Sequence, residues 1–423
     1  MIHTFSKGKT LLVDGPSCIQ LLSGKISILG ASVKAGEKLV VRKGKRLPLE
    51  ASSNVEIQLA LGDSASCAEI DGSAIPASWR DAVDKILSSD KYRKILVIGG
   101  IDSGKTGFCT YMANRAVGSK RKVAIIDGDL GQSEIGAPGT VGLCSIQASV
   151  TDLFNLQPEG VAFVGATSPC GMVDATMGAF AALKAEASTL GADFLVVNTD
   201  GWVEGDGAVD YKLRLVKNIE PDIVLAIQSG NEMCPILDGL KDVEVSVIEA
   251  PKNVKRRNGE TRKVLRESAY KKHLKGTKIR SIPLSWVKIE GNLKDSATSD
   301  YLLKKKIEDI VGKKVLNCRE TATHICCVLE MGRRLVKEEL KKLETELGKQ
   351  VDILKEGVEE GLLVALENAH GKFLGIGTMC SMDFQRGTIK INTPVDETVA
   401  KIYMSQIRLD REGNEIDAGA QMP

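Results

Sequence analysis

The stretch from Lys94 to Thr106 constrains the fold more than any other part of the chain. It reads KILVIGGIDSGKT, an apolar run followed by a loop with the pattern G-x-x-x-x-G-K-[ST]. Glycines in such a loop let the backbone wrap until its N–H groups point at a phosphate chain. A strand is expected before the loop and a helix after it, which is the context that such a site requires. The stretch therefore indicates a nucleotide-binding α/β domain.

The predicted contacts with the nucleotide follow from the residue types in this loop. The charge of Lys105 would lie on the β- and γ-phosphates, and the Thr106 hydroxyl would hold Mg²⁺. The helix expected over 106–117 would add the partial positive charge of its N-terminus. The residues predicted to bind the nucleotide are Gly99, Gly100, Ile101, Asp102, Ser103, Gly104, Lys105, Thr106 and Gly107.

Composition limits the class of protein. The 423 residues carry a net charge of +2, which disfavours a uniformly basic nucleic-acid-binding protein but allows local basic patches. The ten cysteines form no C-x-x-C pair, and scattered thiols are typical of a reduced, intracellular protein. The sequence contains no signal-peptide pattern and no apolar run of roughly 18 residues. We therefore expect a cytoplasmic protein that does not enter a membrane.

Residues 1–90 are predicted to form a β-rich N-terminal domain. Short apolar stretches end at glycine or Asp-Gly, a spacing typical of a small sandwich or barrel. They lie at 10–13, 18–22, 25–29, 38–41 and 55–61. A helix over 77–87 would close the domain. Two roles remain open, a docking or scaffolding module and a cover for one side of the nucleotide.

From 91 to 286 the pattern changes to strands that alternate with helices. Strands are expected at 94–98, 123–127, 160–165, 193–198, 222–227 and 243–248, and helices at 175–190 and 208–219. Near-continuous apolar strands of this kind predict a parallel sheet with helices on both faces. Because ligands bind beyond the carboxyl ends of such strands, the residues just after each strand are the candidates for the site.

Two carboxylates, Asp127 and Asp129, follow the second predicted strand. Carboxylates beside a phosphate-binding loop suit Mg²⁺ coordination or alignment of a nucleophile. The alternative is that one of them caps the next segment, an alternative that weighs more for Asp127 than for Asp129.

Three further candidates lie beyond later strands. Thr167 and Ser168 follow the third strand, and Trp202 lies in a glycine-rich loop after the fourth. A tryptophan flanked by glycines suits the stacking of a nucleic-acid base. The alternative is that Trp202 fills a gap between loops.

The last predicted strand of the sheet is followed by a basic stretch that contains Arg256, Arg257, Arg262 and Arg266. Such a run is often a solvated surface. Here it includes the turn Asn258-Gly259 and lies in the nucleotide-binding domain, so it could also be a lid that carries arginines to a transferring phosphoryl group.

Residues 287–423 are predicted to form a smaller, mixed α/β C-terminal domain. It has an amphipathic segment at 335–347 and β signals at 326–330, 361–366, 373–378 and 388–392. We find no catalytic constellation in it.

In combination, these motifs resemble the polynucleotide 5′-hydroxyl kinases related to the RNA kinase subunit of messenger-RNA 3′-end cleavage factor and tRNA splicing. The resemblance rests on the order of three domains, the phosphate-binding loop, the arginine lid and three short motifs. These are Asp129-Leu-Gly-Gln132, Thr167-Ser-Pro169 and Asn198-Thr-Asp-Gly-Trp202.

The resemblance implies roles for single residues. Lys105, Asp129, Arg257 and Arg262 would be catalytic, with Asp129 taking or orienting the proton of the attacking hydroxyl. Thr106 and Asp129 would hold Mg²⁺. The acceptor end would be held by Gln132, Thr167, Ser168 and Trp202, the last by stacking on the terminal base. The lid departs from the family around Asn258-Gly259, so Arg256 or Arg266 could replace either lid arginine.

The predicted activity is transfer of the γ-phosphate of ATP to the 5′-hydroxyl end of RNA, with DNA as an open alternative and ATP and Mg²⁺ as cofactors. RNA-processing proteins are expected as partners through the N- and C-terminal domains. Two alternative functions are a non-catalytic scaffold that holds ATP in an RNA-processing complex and a regulatory P-loop NTPase.

Overall fold

The computed structural model describes residues 1–291, 301–320, 324–330, 337–355, 359–383 and 386–416. The chain divides into two compact units, Met1–Ala269 and Tyr270–Pro423. The finer division at 90 and 286 remains a prediction.

The first part of the chain is built from antiparallel strands. They are β1 (Ile2–Phe5), β2 (Lys9–Asp14), β3 (Ser17–Ser23), β4 (Ile26–Ile28), β5 (Ala31–Val33), β6 (Lys38–Val41), β7 (Arg46–Ala51), β8 (Val55–Leu61) and β9 (Cys67–Asp71). They form two sheets, with the orders β1-β8-β3-β6 and β5-β4-β7-β2-β9. Residues of both sheets share one apolar core, among them Leu11 and Ile57.

The strand signals predicted for this part are confirmed, but four strands have no such signal. β1, β5 and β9 are short, and β9 is largely exposed. β7 contains Pro48, a residue that argues against a strand interior.

Helix α1 (Ala77–Leu87) has the predicted bounds. Its buried face, including Trp79, Val83 and Ile86, packs in the same core as Ile95 and Val97 of the strand that precedes the phosphate-binding loop. The Trp79 indole N–H donates to the Glu249 carbonyl oxygen at 2.8 Å. The helix is therefore packed onto the α/β core that follows it in the chain.

The α/β core contains the predicted strands and helices with small shifts at their ends. Its elements are β10 (Lys94–Gly99), α2 (Lys105–Gly118), β11 (Val123–Gly128), β12 (Thr140–Ile146), β13 (Gly160–Phe163), α3 (Val173–Thr189), β14 (Phe194–Thr199), α4 (Asp206–Ile219), β15 (Ile223–Gln228), α5 (Cys234–Leu237) and β16 (Glu244–Glu249). The strand order is β13-β12-β11-β14-β10-β15-β16. Alternate residues of β10 enter opposite cores: Ile95 and Val97 pack with α1 and α2, and Leu96 and Ile98 pack with α3 and α4.

The prediction of a wholly parallel sheet is wrong at one edge. β11, β14, β10, β15 and β16 are parallel, but β12 is antiparallel to β11, and β13 is antiparallel to β12. Residues 129–139 between β11 and β12 contain no helix and are too few for a crossover, which needs about a dozen residues or more. Since two reversals restore the original direction, the residues after β13 still lie at the edge where β11 ends.

The second unit begins at Tyr270, within helix α6 (Gly259–His273). Its other elements are β17 (Lys278–Pro283), β18 (Lys288–Gly291), α7 (Tyr301–Val311), β19 (Val315–Glu320), β20 (His324–Leu329), α8 (Lys337–Leu347), β21 (Gln350–Lys355), β22 (Leu362–Glu367), β23 (Phe373–Asp383), β24 (Thr388–Thr393) and β25 (Lys401–Arg408). The described strands pair in the orders β17-β24-β23-β22-β25-β18 and β19-β20-β21.

The β signals predicted for the second unit coincide with β20, β22, β23 and β24, and the amphipathic segment coincides with α8 from 337 onward. Positions 335 and 336 lie outside the described residues. The mixed α/β class predicted for this part is confirmed. Within the described ranges, no helix has both the length and the apolar character that a membrane crossing needs. The cytoplasmic location remains a prediction.

Candidate active site

The phosphate-binding loop joins β10 to α2. Gly104 lies just before the helix with φ +95°, and Asp102 has φ +55°, a region that aspartate tolerates better than most residues. A Cβ at Gly104 would make a tight contact of 3.1 Å with the Pro251 ring, and the positive φ is the main reason for glycine there. The free N–H groups at the start of α2 face the loop, as anion binding requires.

Lys105 is buried inside this loop. Its ammonium group donates to the carbonyl oxygens of Gly99 at 2.9 Å and Gly100 at 2.6 Å. Burial lowers the pKa of Lys105 to about 8. The positive charge of Lys105 is thus held by backbone carbonyl oxygens of the same loop that would wrap a phosphate chain.

Ser103 is the second polar side chain enclosed by the loop. Its hydroxyl is buried and has no hydrogen-bond partner among the described residues. An orphaned hydroxyl in a glycine cradle fits a bound phosphate group, because a phosphate oxygen would satisfy it.

Asp127, at the end of β11, is fully buried. Its carboxylate accepts the Glu134 backbone N–H at 2.7 Å and the Asn198 side-chain N–H at 2.8 Å. Burial raises its pKa to about 6, although these hydrogen bonds oppose the shift. Both oxygens are therefore occupied in organising the loop after β11, as the capping alternative expects.

Asp129 lies two residues further on and lines the cleft. One of its oxygens accepts the backbone N–H groups of Gly131 at 3.2 Å and Gln132 at 3.0 Å. Burial raises the pKa of Asp129, and the charge of Lys105 partly offsets this effect. The loop thus orients this carboxylate through one oxygen.

Asn198 joins the acidic loop to the phosphate-binding loop. Its side-chain N–H group donates to Asp127 at 2.8 Å and to the Thr106 hydroxyl at 3.3 Å. Among the described residues, no group of three or more His, Cys, Asp or Glu side chains could hold a metal by itself. A hydroxyl plus one or two carboxylates fits Mg²⁺ that is shared with phosphate oxygens.

Trp202 lies in the loop after β14. The half-buried indole stacks on the Tyr211 ring, with the centroids 5.6 Å apart and the planes at 25°. It also lines the cleft, together with Thr167 and Ser168. The residue therefore packs on the fold and faces the cleft, which combines features of both alternatives predicted for it.

The loop of Trp202 touches the phosphate-binding loop. A Cβ at Gly201 would lie 2.9 Å from the Cα atom and 2.7 Å from the side chain of Ile101. The two loops can approach this closely because residue 201 is glycine.

The predicted lid arginines both bind Asp102. The Asp102 carboxylate accepts the Arg257 backbone N–H at 2.8 Å and the Arg262 guanidinium at 2.9 Å. The Arg257 guanidinium lies 3.5 Å from its other oxygen. Gln132 donates to the Arg262 carbonyl oxygen at 3.2 Å, which joins the loop after β11 to the same segment.

These elements surround one cleft of about 750 Å³. The β-rich part also contributes to its walls, through apolar residues such as Leu12, Val41 and Leu47 and through the cations Arg42 and Lys45. Glu134 pairs with Arg42 at 2.5 Å and also with Lys45, which ties this wall to the loop after β11.

A polyribonucleotide 5′-hydroxyl-kinase of Methanocaldococcus jannaschii is 30% identical over 359 residues, which cover 81% of this chain and 94% of that protein. The chain belongs to this kinase family. A relative with the same name from Pyrococcus furiosus is 28% identical over 81% of this chain and 95% of its own length. The family model described as mRNA cleavage and polyadenylation factor CLP1 P-loop matches residues 99–276. The predicted resemblance is confirmed.

A CLP1 homologue of Brugia malayi is 25% identical over 64% of this chain and 67% of its own length. A solved structure of the wild-type Clp1p–Pcf11p complex matches with a TM-score of 0.67 and 11% identity, over 96% of this chain and 97% of that one. At this identity the likeness shows the fold alone, and it confirms the predicted α/β class with β-rich flanking parts.

The cleft of this kinase family member is lined by nearly all predicted site residues. These are Gly100 to Gly107, Asp129, Gln132, Thr167, Ser168, Trp202, Arg257 and Arg262. Gly99 lies beneath the loop, where its carbonyl oxygen accepts from Lys105. Of the two alternative lid arginines, Arg266 lines the cleft and Arg256 does not. The roles assigned to these residues remain predictions.

Sequence reasoning assigned no role to Asn198 and Asp200, although both lie in the motif that ends at Trp202, and it missed Tyr211 and Lys212. Asp200 accepts the Trp202 backbone N–H at 2.9 Å, the Tyr211 hydroxyl at 2.7 Å and the Lys212 ammonium at 3.0 Å. One signal was available for Lys212. The buried positions of α4 (208, 211, 212, 215, 216 and 219) have the spacing of an apolar helix face, and residue 212 is a lysine within it.

Proposed function

We propose that this protein transfers the γ-phosphoryl group of ATP to the 5′-hydroxyl end of RNA. The observation that carries the proposal is that one cleft collects a phosphate-binding loop, an oriented carboxylate, two arginines and an aromatic side chain. The names of the relatives agree with this reaction.

The donor would bind with its phosphates on the loop and the first turn of α2. Lys105 would leave the carbonyl oxygens of Gly99 and Gly100 for the β- and γ-phosphates, and Ser103 would donate to a phosphate oxygen. The apolar wall from the β-rich part would cover the nucleoside side of ATP, the second of the roles predicted for that domain.

Thr106 and Asp129 would hold Mg²⁺, and Asp127 would support Thr106 through Asn198. The ion would supply neutralisation of the charge on the phosphate oxygens. The protein's own contribution is to keep the hydroxyl and the carboxylate oriented before the donor arrives.

Asp129 would align the attacking 5′-hydroxyl and accept its proton. Its backbone hydrogen bonds engage one oxygen, and the other would receive the proton. Burial raises the pKa of the carboxyl, so as a base it binds a proton more strongly than an exposed aspartate does.

The arginines would act on the transferring group. A loose, in-line transition state spreads charge over the three equatorial oxygens, and arginines placed there stabilise it. Arg257 and Arg262 share Asp102 in the phosphate-binding loop, so a modest movement of the lid would bring both guanidinium groups to the γ-phosphate.

The acceptor would be held by Trp202 stacking on its terminal base, with Gln132, Thr167 and Ser168 around the sugar and phosphate. Because every base has a π-face, we expect low sequence specificity. RNA-processing proteins would bind through surfaces of the N- and C-terminal domains.

The experiment is transfer from γ-labelled ATP to 5′-hydroxyl RNA and DNA oligonucleotides, single- and double-stranded, with Lys105→Ala as the inactive control. Labelling of the 5′ end of RNA supports the proposal. The rates with DNA oligonucleotides show whether the protein prefers RNA or DNA as the acceptor. ATP retained without turnover would identify a scaffold instead. Release of labelled phosphate without labelled oligonucleotide would identify an NTPase.

A further inference from the structure

A buried ion pair lies directly beneath the loop that carries Trp202. The Lys212 side chain is completely buried, and Asp200 is 4% exposed. The ammonium group donates to the Asp200 carbonyl oxygen and to its carboxylate, each at 3.0 Å. The Tyr211 hydroxyl donates to the same carboxylate at 2.7 Å. All three residues lie in the unit that contains the cleft.

Burying an ion pair carries a desolvation cost that an apolar side chain at the same position would not have. Burial lowers the pKa of Lys212, which reflects the cost of keeping its charge out of water. An apolar residue of similar volume usually stabilises a core as well as a buried ion pair or better. The position lies on the apolar face of α4, where neighbouring positions are filled by Ala208 and Leu215. Stability alone therefore does not account for a lysine here.

What the pair fixes is the conformation of the loop. One Asp200 oxygen accepts from Tyr211 and Lys212, and the other accepts the Trp202 backbone N–H at 2.9 Å. The carboxylate thereby holds the backbone of Trp202 and, through the hydroxyl of Tyr211, the ring on which the indole is stacked. Asp200 also lines the cleft beside Trp202.

We propose that Asp200, Tyr211 and Lys212 are positioning residues that hold the Trp202 indole in place to receive the terminal base of the acceptor. This inference rests on the proposed function. An ordered platform binds a base without the entropy loss of first ordering a glycine-flanked loop, so the network would act much more strongly on acceptor affinity than on the donor site.

The test measures the affinity for a 3′-labelled 5′-hydroxyl RNA by anisotropy and the KM for ATP and for the oligonucleotide. Lys212→Met replaces the ammonium with an apolar side chain of similar length. We expect its oligonucleotide Kd and KM to rise about 5- to 150-fold, the range for loss of one stacked base, with the KM for ATP within about twofold of wild type. Tyr211→Phe keeps the ring and removes the hydroxyl, so a smaller rise in the same direction is expected.

The matched control is Lys184→Met, because Lys184 also bonds a carbonyl oxygen and a carboxylate, those of Asn218 and Glu220, but these partners do not line the cleft, whereas Asp200 does. It should leave both substrates unaffected. The decisive comparison is Lys212→Met combined with Trp202→Ala, which should bind RNA no more weakly than Trp202→Ala alone. Fully additive losses, or equal losses toward ATP and RNA, would overturn the inference.

Two further outcomes separate this inference from the proposed function. If the wild-type protein binds RNA but transfers no phosphate, the kinase proposal fails, and the anisotropy series still tests the network. If Lys212→Met does not fold, Tyr211→Phe gives the test, and an unchanged RNA affinity in that variant would overturn the inference.

Discussion

Asp127 and Asp129 illustrate how neighbouring carboxylates acquire different tasks from their surroundings. Both oxygens of Asp127 accept hydrogen bonds, whereas Asp129 is held through one oxygen at the edge of the cleft. Their position after a strand predicts acidic chemistry at this edge of the sheet, but spacing could not decide which residue caps the loop. That decision depends on where the N–H groups of residues 134 and 198 lie after folding.

We expect Asp129→Asn to bind ATP within a few-fold of wild type and to lose at least about 10²-fold in phosphoryl transfer, the usual worth of a proton-handling group. Single-turnover transfer and ATP titration measure the two effects. The comparison variant is Asp127→Asn, which should lower the melting temperature more than Asp129→Asn because both oxygens of Asp127 accept hydrogen bonds, so the amide NH2 would face a buried donor. Transfer by Asp129→Asn within a few-fold of wild type would contradict the assigned role.

Lys105 gives a prediction about protons. Burial lowers its pKa to about 8 in the free protein, and contact with phosphate favours the charged form, so ATP binding should raise this pKa. Above pH 8 the complex then holds more protons than the free protein, and ATP affinity should fall as the pH rises through that value. Calorimetry at pH 8.5 in buffers of different ionisation enthalpy should show proton uptake. Lys105→Arg, which stays charged, should show none from this source, and equal uptake in both proteins would rule out Lys105 as the origin.

At the scale of elements, periodicity predicts most strands and helices of the α/β core but not the reversal at β12. The strand signal of 140–146 is weak because the segment contains Gly142, and a pattern of apolar residues carries no information on strand direction. The lid shows a similar limit. A basic lid is predicted from the run of arginines in the sequence. Their common partner, Asp102, was not predicted, because it lies over 150 positions away from them in the chain.

Asp102→Asn tests the connection between the lid and the phosphate-binding loop. Asparagine tolerates the positive φ and still accepts the Arg257 N–H, but it loses the charge that holds both guanidinium groups. We expect kcat to fall at least about tenfold, a part of the effect of a complete arginine loss. The KM for ATP should not rise, since a negative charge near the phosphates is removed. Asp84→Asn, which breaks a surface pair with Arg115, is the control. A rise in the KM for ATP with unchanged kcat would argue against this role.

At the scale of the whole molecule, the β-rich part and the α/β core form one compact unit. The change of pattern at about residue 90 predicts two domains, a division that stays a prediction, and the β-rich strands and the α/β core have separate apolar cores. Ion pairs such as Arg42–Glu134 join them, and both parts line the cleft. These pairings join residues about 90 positions apart, and no local pattern predicts them. The second of the two roles considered for the N-terminal part, a cover for the nucleotide, is the one that this arrangement favours.

Glu134→Gln tests how much this union contributes to stability. Glu134 is 5% exposed and binds both Arg42 and Lys45. Removing its charge should lower the free energy of unfolding by about 2 kcal/mol, less than the 3–5 kcal/mol for a fully buried pair because the two cations are partly exposed. Urea denaturation at neutral pH measures this loss. The control is Glu220→Gln, which changes an exposed glutamate.

The same variant makes a prediction for pH dependence. Burial raises the pKa of Glu134, but the charges of Lys45 and Arg42 outweigh burial and hold the pKa below its usual value. The contribution to stability is therefore full above the ordinary glutamate range, near pH 4.3, and is lost as the pH falls through the lower, folded-state pKa. Glu134→Gln should start from a lower stability at neutral pH and lose less of it as the pH falls, so that the stabilities of the two proteins converge in acid. An unaltered acid limb would contradict this assignment.

The contact between Gly201 and Ile101 has a consequence for how the two substrates influence each other. A shift of residue 101 toward Gly201 on phosphate binding would displace the loop of Trp202, because the two backbones approach so closely that no side chain fits between them. The donor and the acceptor then share a coupling free energy, and such couplings are reciprocal: the factor by which ATP changes affinity for RNA equals the factor by which RNA changes affinity for ATP. When water is the acceptor, no oligonucleotide is bound. ATP hydrolysis would therefore lack the binding energy that RNA contributes through this coupling.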